Sequence, residues 1–168
     1  NEAFRWTRET GIHLLRVPPT QAYTYSFPFG VSSDGRTIVG DRRHLRGGRL
    51  DLGGGGGREG FRWTAEEGMV GLGFLNPAPI PYPNYSTARA VSADGTIVYG
   101  DGYRWTATEG MTAFPLYVVA SSADASVLVG NLVDGEYHGE AFRWTEADCL
   151  VGLGDLPGGA FQSAARSV

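Results

Sequence analysis

Five aspartates carry the first hint of site chemistry. Asp34 is followed seven residues later by Asp41 and Asp94 by Asp101, while Asp124 stands seven before Asn131. Hard cations take clustered oxygen ligands, and a strand–turn arrangement that gathered such pairs would suit calcium. The plainer reading assigns the first residue of each pair to a hairpin turn and the second to the exit of the next strand; it is preferred, with calcium kept as a weak alternative. His13, His44 and His138 lack the spacing of a joint zinc site. Ser32 and Ser92 stand beside turn aspartates outside any nucleophile-elbow context, so they read as turn residues that bond the local backbone. The run Gly53 to Gly57 lacks the Lys-Ser/Thr pair and the following helix of a phosphate loop, and is expected to be a flexible surface linker. Arg42, Arg43, Arg46 and Arg49 read as a solvated loop, or as a patch for anions or glycans. These spacings point to no catalytic and no cofactor-binding residue.

The elements that would position any site come from repetition. Phe4-Arg5-Trp6-Thr7 returns as Phe61-Arg62-Trp63-Thr64, Tyr103-Arg104-Trp105-Thr106 and Phe142-Arg143-Trp144-Thr145, and these hold all four tryptophans. A second motif pairs a turn with a short apolar run: Asp34-Gly35 before Ile38-Val39-Gly40, Asp94-Gly95 before Ile97 to Gly100, and Asp124-Ala125 before Leu128-Val129-Gly130. Starts at 4, 61, 103 and 142 give steps of 57, 42 and 39 residues. A unit of about 40 residues is the period of a propeller blade. With 26 glycines and 9 prolines as punctuation, each unit reads as four short antiparallel strands: one before the Asp-Gly turn, one after it, the aromatic motif, and a last strand such as Met69 to Leu72.

Period-2 alternation sends Phe and Trp of each motif to one face and Arg and Thr to the other. A small sheet must bury one face against a neighbour. The rings Phe4, Trp6, Phe61, Trp63, Tyr103, Trp105, Phe142 and Trp144 are therefore expected to form the core between units, and the Arg of each motif to pair with the turn Asp. A sugar-stacking role for the tryptophans is the weaker reading.

Composition bounds the rest. A net charge of −4 argues against a general nucleic-acid binder. No apolar run approaches the roughly 18 residues of a membrane span, and a single cysteine, Cys149, makes no intrachain disulfide. The fold class expected is all-β, a propeller-like array of four-stranded repeats in one domain: a partial unit 1–19, units 22–76, 85–115 and 117–156, and a partial unit 161–168. The first partial unit holds strands three and four and the last holds strand one, since Ser163 to Val168 matches Ser86 to Val91. Either the native polypeptide is longer, or the missing strand comes from another molecule.

The series EAFRWT, GMVGLG, LGDLPGG, VSADG and IVG resembles the HAF family of extracellular repeats over nearly the whole chain. The resemblance implies a bacterial secreted or cell-surface protein with propeller-like β repeats and no common catalytic residues. Departures are Ala125 at the turn Gly, Cys149 at the Gly after the aromatic motif, and a long loop from Asp41 to Gly60. The functional expectation is a non-catalytic extracellular structural or interaction repeat. It would assemble with copies of itself head to tail, by completing its unfinished sheet, into a filament or surface layer. A glycan- or ligand-binding propeller is the alternative.

Overall fold

The computed structural model describes residues 2–16, 23–46, 49–50, 57–75, 85–133, 139–155, 157–158 and 162–168. Every regular element among them is a strand, and none is a helix long and apolar enough to cross a membrane. The glycine run falls largely outside these residues, and His138 wholly so.

The strands recur with the repeated motifs. β1 (Phe4–Thr7) and β2 (Gly11–Leu14) pair alone as strands three and four of the leading unit. Unit one orders β3 (Tyr23–Val31), β4 (Ile38–Arg46), β6 (Arg58–Thr64) and β7 (Gly68–Gly71), with the short β5 (Arg49–Leu50) on the end of β4. A six-stranded sheet then runs β8 (Ala88–Val91), β9 (Ile97–Thr106), β10 (Gly110–Ser121), β11 (Val127–Val133), β12 (Gly139–Thr145) and β13 (Cys149–Gly152). All these strand pairings are antiparallel.

Two features depart from expectation. The boundary placed between units 85–115 and 117–156 falls inside β10, which pairs β9 through residues 110–113 and 117 and β11 through residues 118–121. Pro115 lies where the β9 register shifts, because a residue without N–H cannot hold a ladder position. One strand thus ends one unit and begins the next. The loop expected from Asp41 also starts later: Asp41 to Arg46 belong to β4, and Arg42 is buried on Glu59 of β6 rather than solvated.

In β9 the hairpin loop of the other units shrinks to Asp101-Gly102, with Gly102 at φ 80°. A Cβ built on Gly100 would strike the Tyr103 ring, as one on Gly40 would strike Phe61 and one on Gly130 would strike Phe142. The latter two pairs are direct register partners, so the chain doubles back at Asp101-Gly102.

The units stack in one sense. Ile38, Phe61, Met69 and Trp63 of unit one pack on Ala3 and Leu15 of the leading unit. Val98, Trp105 and Met111 of unit two pack with Val39 and Leu72 of unit one. Phe142, Leu128 and Trp144 of unit three pack with Ala90, Tyr99 and Phe114 of unit two. Each aromatic face therefore lies on the unit before it.

The expected core is corrected accordingly. Phe61, Tyr103 and Phe142 are fully buried, but Trp63, Trp105 and Trp144 are only half-buried. Phe4 is 57% and Trp6 62% exposed, because no unit precedes β1 and β2 among these residues. Phe142→Ala should cost about 3–5 kcal/mol in urea unfolding, the range for emptying a buried ring site. Phe4→Ala should change stability by less than about 0.5 kcal/mol; equal losses would contradict the one-directional stacking.

Both departures at glycine positions keep the glycine conformation. Ala125 sits at φ 58° and Cys149 at φ 56°, matching Gly35 at φ 67° and Gly68 at φ 70°. A Cβ in that region costs roughly 1–2 kcal/mol, partly offset by the entropy that a glycine loses on folding. Ala125→Gly and Cys149→Gly should each raise stability by about 0.5–1 kcal/mol, read as a higher denaturant midpoint; a fall at both positions would rule out the strain.

Candidate functional site

The recurring polar side chains build three sets of contacts: the Asp-Gly turn, the aromatic hairpin and the junction between units. In the turn, Ser32, Ser92 and Ser122 donate their hydroxyls to Oδ1 of Asp34, Asp94 and Asp124 at 2.7, 2.6 and 2.7 Å. The same oxygen accepts the backbone N–H of Arg36, Thr96 or Ser126. Each Ser Oγ also accepts an N–H from the far side of the turn, from Thr37, Ile97 or Val127. These are satisfied turns, as read for Ser32 and Ser92.

In the hairpin every letter of the aromatic motif has a task. In the second, third and fourth motifs the first ring, Phe61, Tyr103 or Phe142, is buried between units, and the half-buried indole packs against the same apolar clusters. The Thr hydroxyl accepts the N–H of the third residue on, from Thr10, Glu67, Glu109 or Asp148, and so closes the turn. The Arg does not pair with the turn Asp. Arg5 and Arg62 donate Nε to the carbonyl of Gly35 and Gly95 in the next unit's turn, at 2.9 and 3.2 Å. The carboxylate partner lies five residues on instead: Arg62 with Glu67, Arg104 with Glu109, and Arg143 with Asp148, at 2.7, 2.6 and 2.9 Å. The expected pairing fails because the turn Asp is already held by its own Ser and backbone.

The junction went unrecognised in the sequence. Ser26, Ser86 and Ser163 accept the N–H of Ala3, Gly60 and Ala141, the residue just before Phe4, Phe61 and Phe142. Ser86 and Ser163 then donate to the carbonyls of Gly73 and Gly154. Glu59 and Glu140 accept the N–H of those same two glycines. The signal was present as a Ser eight positions before the turn Asp, Ser26 to Asp34 and Ser86 to Asp94. Residues 162–168 form no strand, yet Ser163 is tied to unit three as Ser86 is tied to unit one.

The paired aspartates do not converge. Asp34, Asp94 and Asp124 lie in the turns before the second strands, whereas Asp41 and Asp101 lie inside β4 and β9. Asp41 is wholly buried against Arg43 at 3.2 Å and Arg58 at 3.4 Å. Asp101 is held by Arg89 through two hydrogen bonds at 2.9 and 3.3 Å. The Asn131 side chain accepts the N–H of Ala165. Among the described residues no three His, Cys, Asp or Glu side chains gather as a metal site would require. His13 is exposed on β2 and His44 lies in the β4 backbone ladder.

Tyr103 stands where the other motifs have Phe. Its hydroxyl is buried beneath Gly60 without a hydrogen-bond partner among the described residues, and burial raises its pKa. An unsatisfied buried hydroxyl costs about 1–3 kcal/mol. Arg43 lies over Phe27, Arg89 over Phe29 and Arg58 over Tyr85, with charge-to-ring distances of 4.5, 5.4 and 5.8 Å.

The fold and these contacts define an all-β protein of antiparallel repeats whose recurring polar groups serve turns and junctions. A scan against protein-family models finds no match. A search of curated proteins finds none either. Among solved structures, the chain is similar to TolB from Acinetobacter baumannii, a protein that contains a β-propeller, at 10% identity with a TM-score of 0.54. The likeness covers 87% of this chain and 35% of that one, so the chain spans about a third of its length. At this identity the likeness concerns the fold alone.

The turn carboxylates give the protein an acid limit. Hydrogen bonds from Ser92 and Ser122, then from the backbone and the following hydroxyl, hold Asp94 and Asp124 at about 2, against an ordinary 3.8. Asp34 is lowered chiefly by Ser32, and Asp148 chiefly by Arg143 and then Thr145. A carboxyl with a depressed folded pKa stabilises above its unfolded value, and that stabilisation disappears as pH falls through the folded one. The melting temperature should hold level above about pH 5 and drop between about pH 4 and 2. Asp94→Asn with Asp124→Asn should flatten that drop; an unchanged profile would disconnect it from these turns.

Proposed function

We propose that this chain is a non-catalytic extracellular repeat module, set in a propeller-like array, that associates head to tail with copies of itself. One observation carries the reading. On one face of the two-stranded β1–β2 sheet, Phe4, Trp6, Ile12 and Leu14 are 57, 62, 67 and 45% exposed, whereas the matching Phe61 and Met69 of unit one are buried. Beside it, Phe29 and Val31 of β3 are also exposed and line with Phe4 and Trp6 a groove of about 630 Å³. By comparison with unit one, that groove lies where first and second strands of the leading unit would stand, along the edge of β1 that no described strand pairs.

The far end of the array offers the complement. Residues 163–168 repeat the first-strand sequence and leave unit three by the same Ser junction that sends β8 from unit one. Val151, Leu153 and Val168 lie exposed there. A neighbouring copy's tail laid in the groove would bring strand one to an unfinished sheet, a form of strand addition. Repeated without closure, such a contact yields a filament or layer. The resemblance to HAF repeats supports the extracellular setting, and the engagement of the recurring polar groups in turns and junctions supports a role without catalysis.

Sedimentation of the 168-residue chain from micromolar to millimolar concentration tests this. Growing species are expected for the wild type and a monomer for Trp6→Glu with Val31→Glu, both folded by circular dichroism. A wild type that stays monomeric throughout would reject self-association.

A further inference from the structure

Two grooves between units share a construction. The first lies between units one and two, about 600 Å³, and joins Arg62, Glu67, Thr96, Arg104 and Trp105. The second lies between units two and three, about 850 Å³, and joins Arg104, Ser126, Arg143, Trp144 and Asp148. Each contains one half-buried indole, a guanidinium from the unit on either side, a hydroxyl and carboxylate groups, Glu67 in the first and Asp124, Glu146 and Asp148 in the second. Arg104 lines both.

We propose that these grooves are equivalent subsites for a neutral oligosaccharide. The inter-unit core is closed by Phe61, Tyr103 and Phe142, all fully buried, so packing alone does not require a larger ring with part of its surface open. Trp105 and Trp144 keep that surface, and each lines a groove of the size that takes a small ligand. An apolar ring beside a mixed set of donors and acceptors fits a sugar, which has an apolar C–H face and a rim of hydroxyls.

Charge selects the class of sugar. Every guanidinium here has its own carboxylate, Arg62 with Glu67, Arg104 with Glu109 and Arg143 with Asp148, so the grooves carry near-balanced charge. The lining of either groove is within one charge of neutral, too little to select a polyanion or a polycation. Arg104 spends a single contact on Glu109 out of the five donors of a guanidinium, while the side chains of Glu67 and Asp148 are 59 and 56% exposed as acceptors. Because the grooves recur with the repeat, a chain of sugars can occupy both, and linked occupancy strengthens binding without any new kind of contact.

Calorimetry and tryptophan fluorescence with cello-, malto-, manno- and xylohexaose as probes test the proposal on the intact chain. At least one is expected to bind, its disaccharide more weakly. Arg104→Gln should weaken binding about tenfold or more, since it faces both grooves. Trp105→Phe and Trp144→Phe, which keep the packing, should each weaken it by a smaller factor. Glu9→Gln, in the exposed β1–β2 turn, should bind as the wild type does. Absence of any heat or fluorescence change with all four probes, or binding untouched by Arg104→Gln in a folded variant, overturns the proposal. So does tighter, salt-sensitive binding of hexagalacturonate, which would mark the grooves as anion sites.

Discussion

Every layer of this molecule depends on one contact: the aromatic face of a unit laid on the unit before it. A sheet of four short strands leaves too much apolar surface in water to stand alone. Stacking removes it, at roughly 1.5–3 kcal/mol for each ring fully buried. The direction of stacking explains why similar residues differ so much in burial. Phe142 is closed in because unit two lies against it, while Phe4 is open because no unit among the described residues lies on its face. It also places the grooves, which lie at the rims where successive faces part.

Polar groups make that stacking specific. Within a unit, the Ser–Asp turn and the Thr-capped hairpin satisfy backbone groups that tight reversals would otherwise leave unpaired. Between units, Ser26, Ser86 and Ser163 bridge one unit's third strand to the segment leading into the next. Arg5 and Arg62 reach across to the carbonyl of the following turn. An apolar interface is tolerant of sliding, whereas hydrogen bonds at set positions fix its register. Unit one adds a buried ion pair, Arg42 with Glu59 at 2.7 Å. Such a pair contributes little net stability but is costly to break on one side.

Where repeats deviate, the fold absorbs the change in different ways. Ala125 and Cys149 keep the left-handed backbone that glycine would have supplied, which shows the turn geometry to be dictated by the strands around it. Unit two shortens its hairpin to Asp101-Gly102 and still presents Tyr103 where the others present Phe. β10 merges the end of one unit with the start of the next, so the repeat is a period of contacts more than a set of separable pieces.

The repeating letters alone determined the strands, their antiparallel order, the turns at Asp34, Asp94 and Asp124, and which side of the aromatic motif faces a neighbour. These are local matters, governed by alternation along a strand and by the backbone preferences of turn residues. Only the tertiary structure decided which neighbour each face meets, that Arg62 and Arg104 pair five residues along rather than with the turn Asp, and that Trp105 and Trp144 remain half open. It also decided that Asp34 stays in its turn while Asp41 is buried inside β4. Those outcomes depend on which donors and surfaces other units bring near, and a motif read by itself cannot say what lies across the gap from it.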